Sequence, residues 1–212
     1  MNDQFGPVSL SELQFFVSRA AFGAGCSYGV ADDLALLAIL LAKQQIDPCP
    51  MIAKALDNIA EGKVSKDLEK REGAGHIKLC SKSPLPVSAI YAGLALSDQL
   101  AVFGDSENLM VSVDETDSLR LAAYIVQALR PDSRNCEFYC PDTGQSMRLD
   151  QLNGADDSGG VGVSFAPTTD VAIDKKNTAI NDHHNILVSQ SGWDGILNHF
   201  KKSLVEATEE SR

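Results

Sequence analysis

Apolar residues recur every three or four positions from Leu10 through Leu13, Phe16, Val17, Ala20 and Ala21, placing them on one face of a helix. Ser9 and Glu12 stand at the spacing of a capping box, in which each side chain satisfies a backbone amide of the other. The pattern predicts a first helix over about Leu10 to Phe22. Gly23, Gly25 and Gly29 interrupt it, since glycine accepts the left-handed stop that other residues resist, and Ser27 stands where it can cap a second helix. That helix carries Val30, Leu34, Leu36, Leu37, Ile39, Leu40 and Leu41, with almost no polar face after Asp32 and Asp33. Such a pattern predicts a helix buried on most sides, the central post of the N-terminal half. Pro48 or Pro50 can open a third helix bearing Ile52, Leu56 and Ile59.

From Glu61 to Gly75 charges and glycines replace the apolar rhythm, which predicts a solvated loop and a boundary within the chain. A helix follows from near Pro86 with Val87, Ile90, Tyr91, Leu94 and Ala95, then an alternating strand over Asn108–Val113. Leu121, Tyr124, Ile125, Ala128 and Leu129 mark another helix, stopped by Pro131. The last third alternates differently: Cys136–Cys140, Ser146–Leu149, Gly160–Phe165 and Asn185–Gln190 read as short strands of one sheet. Trp193, Ile196, Leu197, Phe200 and Leu204 form the apolar stripe of a last helix, expected to cover one face of that sheet. The fold class expected is therefore α+β, an N-terminal helical bundle packed with a small, mostly antiparallel sheet and a C-terminal helix. One domain over 1–212 is expected, with a subdivision into 1–62 and 76–212.

Composition narrows the partners. Apolar residues make up 44% of the 212 residues and charged residues 22%, enough to bury a core without a partner. The net charge of −11 repels phosphate backbones and anionic lipid, so neither nucleic acid nor a membrane surface is an expected partner. The longest apolar run, Leu34–Ala42, is less than half of the ~20 residues a membrane span needs. The first residues lack the positive flank and apolar run of a secretory signal, which predicts a cytoplasmic protein. Five scattered cysteines fit reduced, buried thiols.

Candidate chemistry gathers in four places. The Gly23–Gly29 turn, with Ser27, precedes a helix N-terminus whose free amides favour an anion, but it joins two helices and lacks the lysine of a nucleotide loop. A plain helix–helix turn explains the same glycines. Cys26 stands where a thiolate would be stabilised, with no histidine near it in sequence. Cys136 and Cys140, with His183 and His184, offer zinc donors, yet a strand sets those two thiols roughly 13 Å apart at ~3.3 Å per residue. No metal site is assigned on that spacing. Asp98, Asp114, Glu115, Asp117, Asp156 and Asp157 could supply acid and base only within a cleft; capping accounts for Asp117, and turns account for Asp156 and Asp157.

Three segments carry a resemblance. Val8-Ser-Leu-Ser-Glu12 with Arg19-Ala-Ala-Phe-Gly23-Ala-Gly25-Cys-Ser27-Tyr-Gly29-Val-Ala31-Asp-Asp33 resembles the opening of an uncharacterised bacterial family known only as a domain of unknown function. Ala92-Gly93-Leu-Ala-Leu-Ser-Asp98 and the stretch from Trp193 to Arg212 are similar to later parts of it. The resemblance implies one family unit over nearly the whole chain, with a Gly-Ala-rich tail following the Glu-Ser-Arg signature in other members, and no activity. The first helical pair is also similar to the N-terminal pair of the malate and L-lactate dehydrogenases that lack a Rossmann domain. Gln44-Gln45-Ile46-Asp47-Pro48 stands where their Ser-His-Gly would follow, so no cofactor or active-site residue is carried over.

The function expected is a small cytosolic enzyme or metabolite-binding protein of bacterial metabolism. Its pocket is placed between the helical half and the sheet, near Arg19, Gly23, Gly25, Ser27, Tyr28, Gly29 and Asp98. Arg19 and Asp98 are chosen as charged residues inside apolar helical patterns. The alternative is a non-catalytic oligomeric or accessory subunit that assembles through apolar helix faces, motivated by Phe15, Phe22 and Leu34–Ala42. A metal-dependent hydrolase or lyase using the Cys and His candidates stands third. No cofactor is named, and the residues do not decide between enzyme and binding protein.

Overall fold

A computed structural model describes residues 4–73, 75–103, 110–129, 136–139, 146–147, 159–165 and 185–209. The chain enters on a strand that periodicity does not announce, β1 (Gln4–Ser9), and turns at Ser9 into α1 (Leu10–Gly23). The capping box forms: the Glu12 amide donates to Ser9 Oγ at 3.1 Å, and the Ser9 amide donates to Glu12 Oε2 at 2.9 Å. The Ser9 hydroxyl, donating to Glu12 Oε2 at 2.7 Å, and after it the Ser9 amide hold the Glu12 carboxyl below its ordinary pKa range.

At its other end α1 stops in a Schellman arrangement. Gly25 adopts φ +86°, its amide donates to Phe22, and the Cys26 amide donates to Ala21. The reversed chain becomes α2 (Tyr28–Lys43). Ser27 occupies the N-cap position in an extended conformation, without the side-chain bond expected of it. α2 ends in the same motif, with Gln45 held at φ +61°. After Pro48, α3 (Cys49–Ala60) carries a proline in its first turn, where a missing N–H costs nothing.

The predicted loop after Glu61 is in part a strand, β2 (Leu68–Gly73), which forms a hairpin with β3 (His76–Ser81). Its alternating charges, Glu69, Lys70, Arg71 and Glu72, conceal it from an apolar-period reading because it is an edge strand, where charge discourages pairing with other chains. Beyond it come α4 (Ala89–Phe103), β4 (Met110–Thr116), α5 (Leu119–Leu129), β5 (Cys136–Tyr139), β6 (Ser146–Met147) and β7 (Gly159–Phe165). The chain closes with β8 (Asn185–Ser189) and α6 (Gln190–Glu209). The fold is α+β, as the order of elements predicts.

The residues fall into two compact units, Met1–Glu61 with Lys175–Arg212, and Gly62–Asp174. In the second, six strands lie in the order β2-β3-β4-β7-β5-β6, and every adjacent pair is antiparallel except β3 and β4. That parallel pair requires a crossover, which α4 supplies. Ile77, Leu79, Val111, Val113, Val161 and Val163 alternate onto one face and are buried; α4 and α5 pack on each other and on β4 and β7.

In the first unit β1 pairs antiparallel with β8, and α1 packs against both α2 and α6. One expectation fails here. Residues 185–189 pair with β1 rather than joining β5, β6 and β7, and α6 packs on α1 and α3. The reason is steric fit. Cβ atoms built at Gly192 and Gly195 would meet Pro50 N and Ala53 Cβ, both at 2.7 Å, so α6 approaches α3 at a distance only glycine permits. A Cβ at Gly23 would stand 2.2 Å from the His199 carbonyl oxygen, so α1 meets α6 as closely. The central helix is therefore α1. α2 buries Leu34, Leu37 and Leu41 but leaves Leu36 44% exposed, which corrects the expectation of a helix sheathed on most sides.

Candidate functional site

The Gly25 turn reverses the chain within a few residues, so the outer face of α1 meets the first turns of α2. Between them runs a groove of about 610 Å³, within the ~300–1,000 Å³ typical of small-molecule sites. From α1 come Ser11, Gln14, Phe15, Ser18, Arg19 and Phe22; from α2 come Tyr28, Asp32 and Ala35. The groove lies wholly within the first unit.

Its chemistry is both aromatic and charged. Phe22 and Tyr28 stack with ring centroids 4.7 Å apart at 27°, an offset pairing that leaves further ring surface for a flat group. The Arg19 guanidinium lies 5.9 Å from the Phe15 ring centroid, a cation–π approach that orients it without neutralising it. Among the described residues Arg19 has no carboxylate within ion-pair distance. Asp32 accepts one hydrogen bond, from Ser18 Oγ at 3.2 Å, and pairs with no cation among the described residues.

The structure thus brings together Arg19 and Tyr28 from the residues singled out by sequence. Gly25, Ser27 and Gly29 belong to the turn at the groove's end and do not line it, while Gly23 marks the close crossing of α1 and α6. Asp98 is an exposed residue of α4, in the second unit. Cys26 is buried, 3% exposed, which keeps a thiol at that helix N-terminus away from substrates. Cys136 lies on β5; Cys140, His183, His184, Asp156 and Asp157 fall outside the described residues. Among the described residues no three His, Cys, Asp or Glu side chains gather as metal ligands would.

Two polar constellations escaped the sequence reading. His199, 1% exposed, shares a 2.8 Å hydrogen bond between Nε2 and Asp57 Oδ1, and its Nδ1 is buried without a partner. The pair links α6 to α3 and fixes their register. Asp47 acts similarly, accepting from the Cys49 amide at 3.0 Å and the Ser189 amide at 2.7 Å. Burial, followed by the charge of Asp47, pushes the Cys49 thiol up, so it stays protonated.

The second constellation lies on the polar face of the six-stranded sheet. His76 Nε2 stands 2.8 Å from Ser112 Oγ; Lys78 Nζ pairs with Asp114 Oδ1 at 2.5 Å, and the Cys80 thiol donates to Asp114 Oδ2 at 3.4 Å. Burial leads the causes that raise the Cys80 thiol, ahead of its bond to Asp114. Ser112 is 1% exposed, so this Ser–His pair braces the sheet face and presents no open nucleophile. Period-two alternation across β3 and β4 is the signal in the sequence that points to this face.

Residues 8–84 match the model of a family described as a protein of unknown function, DUF3726. The match spans α1 to α3 and the β2–β3 hairpin, so it includes every residue of the groove. An uncharacterised domain family thus covers this segment. No curated protein matches the chain. Among the described residues, no helix is long and apolar enough to cross a membrane.

Proposed function

We propose that the chain is a cytosolic metabolite-binding protein whose ligand occupies the groove between α1 and α2. The observation that carries this reading is the uncompensated Arg19 guanidinium, held over Phe15 beside the Phe22–Tyr28 stack. A cation with no protein partner favours a ligand anion, and the rings offer flat apolar surface that water solvates poorly. Gly25, Ser27 and Gly29 shape the end of the groove through the turn they build. Buried cysteines outside any disulfide, Cys26, Cys49 and Cys80, suit a reducing compartment. The test is a thermal-shift screen of central metabolites against the parent and Arg19→Ala, since a ligand preferring the native state raises its melting temperature. Stabilisation by a metabolite that disappears in Arg19→Ala supports the reading, and stabilisation equal in both removes Arg19 from the site.

A second reading rests on exposed apolar side chains along the same layer. Phe15 is 50% exposed, Tyr28 64% and Leu36 44%, the kind of patch that assembly covers. In that reading the protein is an accessory or self-associating subunit. Light scattering of the purified chain separates the two: a monodisperse monomer with no co-purifying protein counts against assembly.

A further inference from the structure

We infer that the ligand of the α1–α2 groove is a free α-amino acid, zwitterionic and carrying an aromatic or long apolar side chain. The inference rests on the groove reading above and goes further by naming the chemical class. Its basis is that the groove carries one charge of each sign and neither cancels the other. Arg19 lies on α1 and Asp32 on α2, both line the cavity, and no ion pair joins them within 4.0 Å. The Arg19 guanidinium lies over the face of Phe15, and Asp32 accepts from the Ser18 hydroxyl.

A simple anion would gain from Arg19 and be repelled by Asp32, and a simple cation would meet the opposite problem. A molecule bearing a carboxylate and an ammonium on one carbon uses both. Its carboxylate can take the planar guanidinium in a two-point contact, and its ammonium can donate to the Asp32 oxygen that Ser18 leaves free. The Phe22–Tyr28 stack then receives the side chain by ring stacking or plain apolar contact. Ser11 and Gln14, further along α1, can exchange hydrogen bonds with the remaining polar atoms.

The experiment is calorimetric titration of the full chain with three probes that share a ring and differ only in charge: L-phenylalanine, 2-phenylethylamine and 3-phenylpropionate. Tryptophan and leucine are titrated alongside to vary the side chain. A charge-assisted hydrogen bond is worth a factor of about ten or more in affinity, so at least one amino acid should exceed its single-charge analogues by that factor. Arg19→Gln should erase the advantage over the amine, and Asp32→Asn the advantage over the acid. Both side chains are exposed, so both variants should retain the parent's circular dichroism and melting curve.

The inference is overturned if an acid or amine probe binds as well as the amino acid, if no amino acid binds, or if the variants leave the ratios unchanged. These failures differ from failure of the groove itself. A metabolite found by the thermal screen and lost in Arg19→Ala would keep the groove as a site while rejecting the amino-acid class.

Discussion

Replacing Gly23 by alanine adds one methyl group where α1 crosses α6, and the structure fixes what that methyl meets. Its carbon would stand 2.2 Å from the His199 carbonyl oxygen and 2.9 Å from the Ser203 amide nitrogen. Both are backbone atoms of a helix, so no side chain can rotate aside, and α1 and α6 must separate by about 1 Å to restore ordinary contact. Overpacking of this kind costs about 1–3 kcal/mol, with the upper end fitting a rigid neighbour. Alanine returns about 1 kcal/mol through its better helix propensity. The net expectation is a loss of about 2 kcal/mol, or ~4–8 °C in melting temperature for a chain of this size. Gly29→Ala is the matched control. A methyl there meets nothing within 4 Å in the first turns of α2, so the same chemical change should stabilise by up to ~1 kcal/mol. Urea and thermal unfolding of both variants give the answer, and the reasoning fails if Gly23→Ala proves as stable as Gly29→Ala. The comparison also shows why Gly23 is a poor probe of ligand binding, since its loss would act through the fold.

Other consequences are as direct. Asp57→Ala leaves both nitrogens of the buried His199 ring unpaired and should cost about 1–3 kcal/mol in urea unfolding; parent-like stability would show that solvent already satisfies the imidazole. Gln45→Gly relieves a non-glycine residue at φ +61°, and after the entropy that glycine loses on folding the gain should be ~0.5–1 kcal/mol, checked by the shift in melting temperature. Glu12 ionises more readily in the folded chain than in the unfolded one, so its contribution is full above the ordinary value of 4.5 and is lost as pH falls through the lower folded value. Glu12→Gln should therefore flatten the acid side of the stability profile as pH falls below 4.5, and an unchanged slope would contradict the capping-box account.

Most of the helices could be read along the chain because their signals are local. The Ser9–Glu12 box, the 3.6-residue period of α1, α3 and α5, and the Gly25 stop all act within a few residues of one another. Arg19 stood out along the chain as a charge inside an apolar helical pattern and Tyr28 as part of the glycine turn, and the tight turn brings the two to one groove. β2 stayed hidden because an edge strand is protected by charge and lacks the apolar alternation that marks a half-buried one.

What the sequence determined by itself was where helices start and stop, which face of each is apolar, and the α+β class. Tertiary structure alone decided partnership: β1 with β8, α6 with α1 and α3, and Asp57 with His199 across 142 residues. It also placed Asp98 in the second unit and brought Asp32 and Arg19 to one groove of the first. The physical reason is that long-range contacts are chosen by shape. In a linear reading Gly192 and Gly195 are ordinary helix residues and Gly23 is part of a helix stop, and they become the places where backbones can meet only once the neighbouring surfaces exist.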